Sequence, residues 1–127
     1  MQFKMKDNGF TTQFEYGELH ISGDAAYGFR PYQLMVSSIA VCSGGVLRKI
    51  LNKMRIPYED IQISANMERN EDEADRIEKI HMHFTIKGEN LNHIKIERAL
   101  ELTRKNCSMV QSVKDSIEIT ESFELVP

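Results

Sequence analysis

Two cysteines in 127 residues are too few for a disulfide framework. Cys42 and Cys107 stand about half the chain apart, unlike the closely spaced staples of small secreted domains, and in a reducing compartment they rest as thiols. No run of about eighteen or more consecutive apolar residues occurs. The opening Met1-Gln2-Phe3-Lys4-Met5-Lys6 alternates instead of placing a charged segment before an apolar block. Neither a membrane span nor a secretory signal is expected, and a cytoplasmic protein is. Basic residues never gather into a run, and 16 Lys and Arg stand against 19 Asp and Glu for a formal net charge of −3, so nucleic acid is not an expected partner. There is no glycine-rich phosphate loop, no Gly-x-Ser-x-Gly elbow and no His-Glu-x-x-His, which removes most common enzyme classes. Nor is there an internal repeat, linker or low-complexity segment. A chain of this length, 41% hydrophobic, fits one domain over residues 1–127.

What is present reads as an α+β chain. Met1, Phe3 and Met5 alternate with polar neighbours, Asp7-Asn8-Gly9 supplies turn chemistry, and Phe10, Thr12, Phe14 and Tyr16 alternate again, which predicts a hairpin. A third short strand, Leu19-His20-Ile21, leads through a glycine-containing loop to Arg30-Pro31, and Pro31 suits the first position of a helix. From Leu34 to Leu47 nearly every residue is apolar or small, which predicts a helix buried all round. A chain of this size has too little core to bury such a helix alone, so a partner subunit is expected. Gly44-Gly45 costs that helix about 1 kcal/mol per residue relative to alanine, which points to a second backbone approaching closely. The pattern turns amphipathic from Arg48 to Arg55, and Pro57 ends it. Ile61, Ile63, Ala65 and Met67 alternate, as do Ile80, Met82, Phe84 and Ile86, predicting an antiparallel pair across the acidic loop from Asn70 to Asp75. Asn92 is a plausible cap for a helix running to about Asn106. Ser108-Met109-Val110-Gln111 matches a capping box, predicting a short helix directly after Cys107. Ile117, Ile119, Phe123 and Leu125 make the last strand.

The chemistry-bearing candidates are few. Cys42 lies roughly twelve residues into its helix, too far from the N-terminus for that helix's dipole to lower its pKa. Alone it should be inert, and a small core filler is the plain alternative. Its serine and glycine neighbours, however, leave room for a small reactant or a second thiol. Cys107, if Ser108 caps the following helix, stands beside unsatisfied N–H groups that can stabilise a thiolate; packing at a helix end is the alternative. His81 and His83 face one side of a strand opposite the apolar set. With no cysteine pair or carboxylate at ligand spacing, and His20 and His93 distant, no metal site is expected. The acidic run from Glu71 to Asp75 reads as a solvated hairpin loop.

Taken together, Pro31-Tyr32-Gln33-Leu34 leading to Cys42 on a small-residue helix, and Glu97-Arg98-Ala99-Leu100-Glu101-Leu102 followed by Cys107-Ser108, resemble the OsmC/Ohr family. These are the osmotically inducible and organic hydroperoxide resistance proteins, and the likeness is greater to the OsmC-like branch. It extends over nearly the whole chain, including the ending Ile117-Glu118-Ile119-Thr120. The resemblance implies an OsmC-like α+β fold, with antiparallel sheets packed around two central helices in an intertwined homodimer whose active sites lie at the subunit interface. It implies thiol-dependent reduction of organic hydroperoxides, with Cys42 as peroxidatic nucleophile and Cys107 as resolving thiol, no metal or organic cofactor, and a dithiol reductant of lipoyl type. Where family peroxidases carry a glutamate after the motif proline, this chain has Tyr32, followed by Gln33, at the substrate-binding position. The family's N-terminal arginine has no counterpart, and Arg30 is the candidate to take its role. The alternative within the same family is a non-peroxidatic protein that binds a small apolar or thiol ligand at the dimer interface.

Overall fold

Turn chemistry at Asp7-Asn8-Gly9 folds β1 (Lys4–Lys6) onto β2 (Gly9–Gln13). Gly9 has φ +143°, and a Cβ there would run into the Ile21 carbonyl oxygen, so this corner accepts only glycine. β2 pairs antiparallel with β3 (Glu18–Ile21), giving a three-stranded sheet in the order β1-β2-β3. The computed structural model describes residues 1–127 and divides them into two compact units, Met1–Ser37 and Ser38–Pro127. In the first unit the strands are shorter than the alternation suggests, and Phe3, Met5, Phe10, Tyr27 and Phe29 remain exposed.

Pro31 opens α1 (Pro31–Lys53) as expected. The helix is not buried all round. Ile39, Ser43, Gly44, Leu47 and Leu51 form one buried stripe, whereas Met35, Val41 and Gly45 are exposed within the chain. By length and composition α1 could also cross a membrane, a property that core helices of soluble proteins share. The paired glycines separate in role: a Cβ on Gly44 would lie 2.7 Å from the Ile63 side chain, while Gly45 has nothing within 4 Å. The close neighbour at Gly44 is thus a side chain and not a second backbone. α1 ends in a Schellman arrangement, with Ile56 N–H on the Leu51 carbonyl and Arg55 N–H on the Asn52 carbonyl. Arg55 occupies the left-handed position at φ 57° that glycine usually takes,.

In the second unit β4 (Asp60–Asn70) and β5 (Arg76–Lys87) form the expected antiparallel hairpin, from Asp60 opposite Lys87 to Asn70 opposite Arg76. Its tip, residues 71–75, is solvent-exposed. Asn92 caps α2 (His93–Asn106) by accepting the Lys95 N–H at 3.0 Å. α3 (Ser108–Val113) follows, and β6 (Glu118–Val126) returns to lie parallel to β5, Lys79 opposite Glu118 through Lys87 opposite Val126. The sheet β4-β5-β6 is therefore mixed and not purely antiparallel. Two helices between β5 and β6 carry the chain back to the strand's starting end, which is what a parallel neighbour needs. Ile80, Met82, Phe84 and Ile86 of β5 are at most 1% exposed and join Ile39, Leu47, Leu51, Ile96, Ala99, Leu100 and Val110 in the core. The opposite face of β5 carries His81, His83 and Thr85.

Gly44→Val tests the closeness of α1 to β4. The branched side chain must displace Ile63, and urea denaturation should show a loss of about 1–3 kcal/mol; unchanged stability would mean that the helix and strand are not this close.

Candidate active site

Successive helix residues point about 100° apart, so Ser43 turns into the buried stripe of α1 while Cys42 stands at its margin, partly exposed. Cys107 arrives from the other direction. It ends α2 and opens α3 in extended conformation, φ −80° and ψ 112°, and its side chain is buried. Ser43 Oγ donates to Cys107 Sγ at 3.4 Å. Cys42 Sγ lies 3.7 Å from Ser108 Oγ, and the two thiols are near enough for each to influence the other's ionisation. Two cysteines half a chain apart thus share one site.

Their ionisation is pushed in opposite directions. Burial opposes the thiolate of Cys42, yet the Met109 N–H, the Cys107 thiol, and the hydroxyl and N–H of Ser108 together outweigh it, and the pKa falls below the ordinary thiol value. At Cys107 burial prevails over the Ser43 hydroxyl and the Val110 N–H. The neighbouring Cys42 pushes the same way, and the pKa rises. This is the pattern expected of two acids that cannot comfortably ionise side by side.

The sequence placed the start of the last helix at a Ser108 cap and aimed its N–H groups at Cys107. In the structure Cys107 itself is the cap residue, so Ser108 and Met109 are the first helical residues. Their N–H groups serve Cys42, and only that of Val110 serves Cys107. Capping patterns locate a helix start to within a residue but do not say which distant side chain will occupy the space in front of it. Ser43, the hydroxyl partner of Cys107, carried no sequence signal beyond adjacency to Cys42, and Ser108, the partner of Cys42, was marked only as a helix cap.

Arg30 and Tyr32 belong to the first unit and are paired: the guanidinium carbon lies 4.7 Å from the centre of the Tyr32 ring, and Nη1 is 3.4 Å from Tyr32 Oη. Gln33 is exposed in the first turn of α1. Every group that draws the Cys42 pKa down is a neutral hydrogen-bond donor.

The joint between α2 and α3 is held from both sides. Gln111 Nε2 donates to the Arg104 carbonyl at 2.9 Å. The Arg104 guanidinium meets Glu121 Oε2 of β6 through Nε at 3.3 Å and Nη2 at 3.1 Å. The Glu121 side chain is only 3% exposed, and its Oε1 has no partner. Burial raises the pKa of this carboxyl, against the pull of Arg104 and His81.

The remaining candidates lie apart from the thiols in role. His20 bonds Lys6 Nζ at 2.8 Å, and His93 packs on the Phe123 ring at 4.7 Å between centroids. No three His, Cys, Asp or Glu side chains are arranged to hold a metal ion. The tip of the β4–β5 hairpin is tied by its own groups, with the Asp72 N–H on Asn70 Oδ1 and Arg69 on Asp75.

Residues 22–122 match the family described as OsmC-like protein. Protein YhfA of Escherichia coli K12 is 29% identical over 106 residues, which span 83% of this chain and 78% of that protein. The fold is that of a hypothetical protein from Aquifex aeolicus VF5, with a TM-score of 0.87 and 26% identity over 98% of this chain and 92% of the other. It is also that of an organic hydroperoxide resistance protein OsmC from Legionella pneumophila, with a TM-score of 0.73 and 14% identity over 98% and 97% of the two chains. A match over most of the chain, with the same α+β architecture over its full length, makes the conclusion plain: this chain belongs to the OsmC-like family.

Proposed function

We propose that this protein reduces organic hydroperoxides by thiol chemistry, with Cys42 as the peroxidatic nucleophile and Cys107 as the resolving thiol. The observation that carries the reading is the opposed ionisation of two neighbouring thiols. The one eased toward thiolate is the more exposed, and the one held as a thiol is buried beside it. The thiolate is the nucleophile. Its sulfur attacks the terminal peroxide oxygen, the O–O bond breaks, the alcohol leaves after taking a proton, and Cys42 becomes a sulfenic acid. With the Cys42 charge gone, one of the influences that raises the Cys107 pKa disappears. Cys107 then loses its proton and attacks the Cys42 sulfur, forming the disulfide with loss of water. A dithiol reductant, of the lipoyl type, returns both thiols by exchange. No metal or organic cofactor takes part in these steps, and the resting dithiol suits the reducing cytoplasm.

The same reading places a second copy of the chain over α1. Val41 is 71% exposed one residue from the nucleophile. Gly45, one turn further on, has no neighbour within 4 Å of where a Cβ would stand, although glycine there costs the helix about 1 kcal/mol. A homodimer that packs backbone against Gly45 and covers Val41 accounts for both.

A second reading, a non-peroxidatic protein that binds a small apolar or thiol ligand at that interface, is favoured by one observation. No cation is among the groups that stabilise the Cys42 thiolate, and Arg30 is engaged with Tyr32.

Three measurements separate these outcomes. Cys107→Ser protein mixed with equimolar cumene hydroperoxide and a sulfenic-acid trap should show labelled Cys42 peptide within seconds by mass spectrometry. A Cys42 that stays a thiol while free glutathione is oxidised as fast would give the ligand-binding reading precedence. Alkylation by iodoacetamide across pH should reach its half-maximal rate below the ordinary thiol pKa at Cys42 and above it at Cys107, and Ser108→Ala should move the Cys42 profile upward. Two coincident profiles would remove the basis for assigning roles. Sedimentation velocity should find a dimer, which Gly45→Leu converts to monomer; a monomeric native protein would refute the proposed interface.

A further inference from the structure

On the face of the β4-β5-β6 sheet turned away from the core, His81 and His83 of β5 stand opposite Thr120 and Ser122 of the parallel strand β6. His81 Nε2 lies 2.8 Å from Ser122 Oγ, and His83 Nδ1 lies 2.7 Å from the same oxygen. The outer nitrogens are also engaged: His81 Nδ1 with Thr120 Oγ1 at 2.7 Å, and His83 Nε2 with Glu124 Oε1 at 3.2 Å. Two imidazoles therefore converge on one point, each backed on its far side by an oxygen.

The proton count makes this convergence informative. An ionised Glu124 only accepts, so it fixes the His83 proton on Nε2 and leaves a lone pair on Nδ1. Ser122 has one hydroxyl proton and can satisfy only one lone pair. In the hydrogen-bonded state it serves His83, and His81 must donate through Nε2. If His81 instead donates through Nδ1 to the Thr120 oxygen, both inner nitrogens present lone pairs to the same small space. Only a proton position on one ring and the rotation of one serine hydroxyl separate the two states.

We propose that His81 and His83 form an open binding site for a divalent transition ion of the imidazole-preferring class, Ni²⁺, Cu²⁺ or Zn²⁺. Histidine ligands in metal sites characteristically donate their second N–H to a carboxylate or other oxygen, which sets the tautomer and the ring orientation. Glu124 and Thr120 hold those positions here. Two residues apart on a strand, the histidines project from the same face. Neutral imidazole suits these ions better than Mg²⁺ or Ca²⁺. Two protein ligands are too few for a closed structural site, and the remaining positions fall to water or a small anion. A cavity of about 280 Å³ adjoins His81 on its Thr120 side, lined also by Asn66, Glu68, Lys79 and Glu118, so solvent reaches that ring. The sequence shows no cysteine pair or carboxylate at ligand spacing from these histidines; the parallel pairing of β5 with β6 brings Glu124 to the outer nitrogen of His83, as a hydrogen-bond partner and not as a ligand.

The site is independent of the thiols, and its test removes them, because cysteine competes for the same ions. Full-length Cys42→Ser/Cys107→Ser protein is titrated with NiCl₂ by calorimetry in a non-coordinating buffer. Saturation at one ion per chain is expected. His81→Asn and His83→Asn should each abolish it, and Glu124→Gln should weaken it by about tenfold or more. In the nuclear magnetic resonance spectrum of the same protein, Ni²⁺ should broaden the imidazole signals of His81 and His83 before those of His20 and His93. Absence of saturable binding overturns the proposal, as does binding that His83→Asn leaves unchanged in a variant whose circular dichroism is native.

Discussion

The juxtaposition of two thiols is the constraint around which the second unit is arranged. Sulfur is a poor hydrogen-bond partner, and the contact between Cys42 and Cys107 has little stability of its own to hold it. It exists because α1 and the α2–α3 joint are both fixed by stronger means. Ile39, Leu47 and Leu51 anchor α1 from one side. On the other, the Cys107 N–H donates to the Thr103 carbonyl at 2.8 Å, and the Gln111 N–H reaches the Cys107 carbonyl at 3.0 Å, so Cys107 is gripped by the two helices it separates. The consequence is electrostatic asymmetry. Neutral donors at the head of α3 converge on the more exposed sulfur, and burial dominates at the other. Chemistry that needs one nucleophile and one reserve thiol is served by such an arrangement, and two equivalent thiols would not serve it.

The Arg104–Glu121 pair is a costlier device. A buried carboxylate with one oxygen unpartnered forfeits hydration that a single guanidinium does not fully replace. An apolar pair at these positions would pack with less penalty. The pair does tie the end of α2 to β6, a strand that the chain reaches only after crossing α3, and Gln111 completes the tie through the Arg104 carbonyl. Cost accepted next to the joint that carries Cys107 fits a requirement for placement rather than for stability alone.

β5 shows how one strand can serve two purposes. Its inward set, Ile80, Met82, Phe84 and Ile86, carries the core. Its outward set forms a polar ladder with β6 in which every imidazole nitrogen of His81 and His83 is engaged. Thr85 Oγ1 extends the ladder by donating to Glu124 at 3.2 Å. Strand alternation keeps the two sets apart, so the outer face can carry chemistry without disturbing the packing beneath it.

Local features were legible in the sequence because local physics sets them. Pro31 opens α1 since its ring fits the first helical turn, Asn92 caps α2 with its own side chain, and period-two alternation marks β4 and β5 as partners across a polar tip. The resemblance carried by Pro31, Cys42 and Cys107 was legible too, and with it the family. The sequence could not show that α1 is buried along only one stripe, because exposure depends on what surrounds a helix and not on its own composition. It put α3 directly after Cys107, where the structure has it, but made Ser108 the cap in place of Cys107, and so gave to Cys107 the N–H groups that in fact serve Cys42. It could not show that β6 would return parallel to β5, bringing Ser122 and Glu124 to the histidines. Helix starts, turns and alternation depend on neighbours within a few residues. Which thiol is eased toward its anion, and which side chains meet across the sheet, depend on residues half a chain apart, and only the folded structure brings these together.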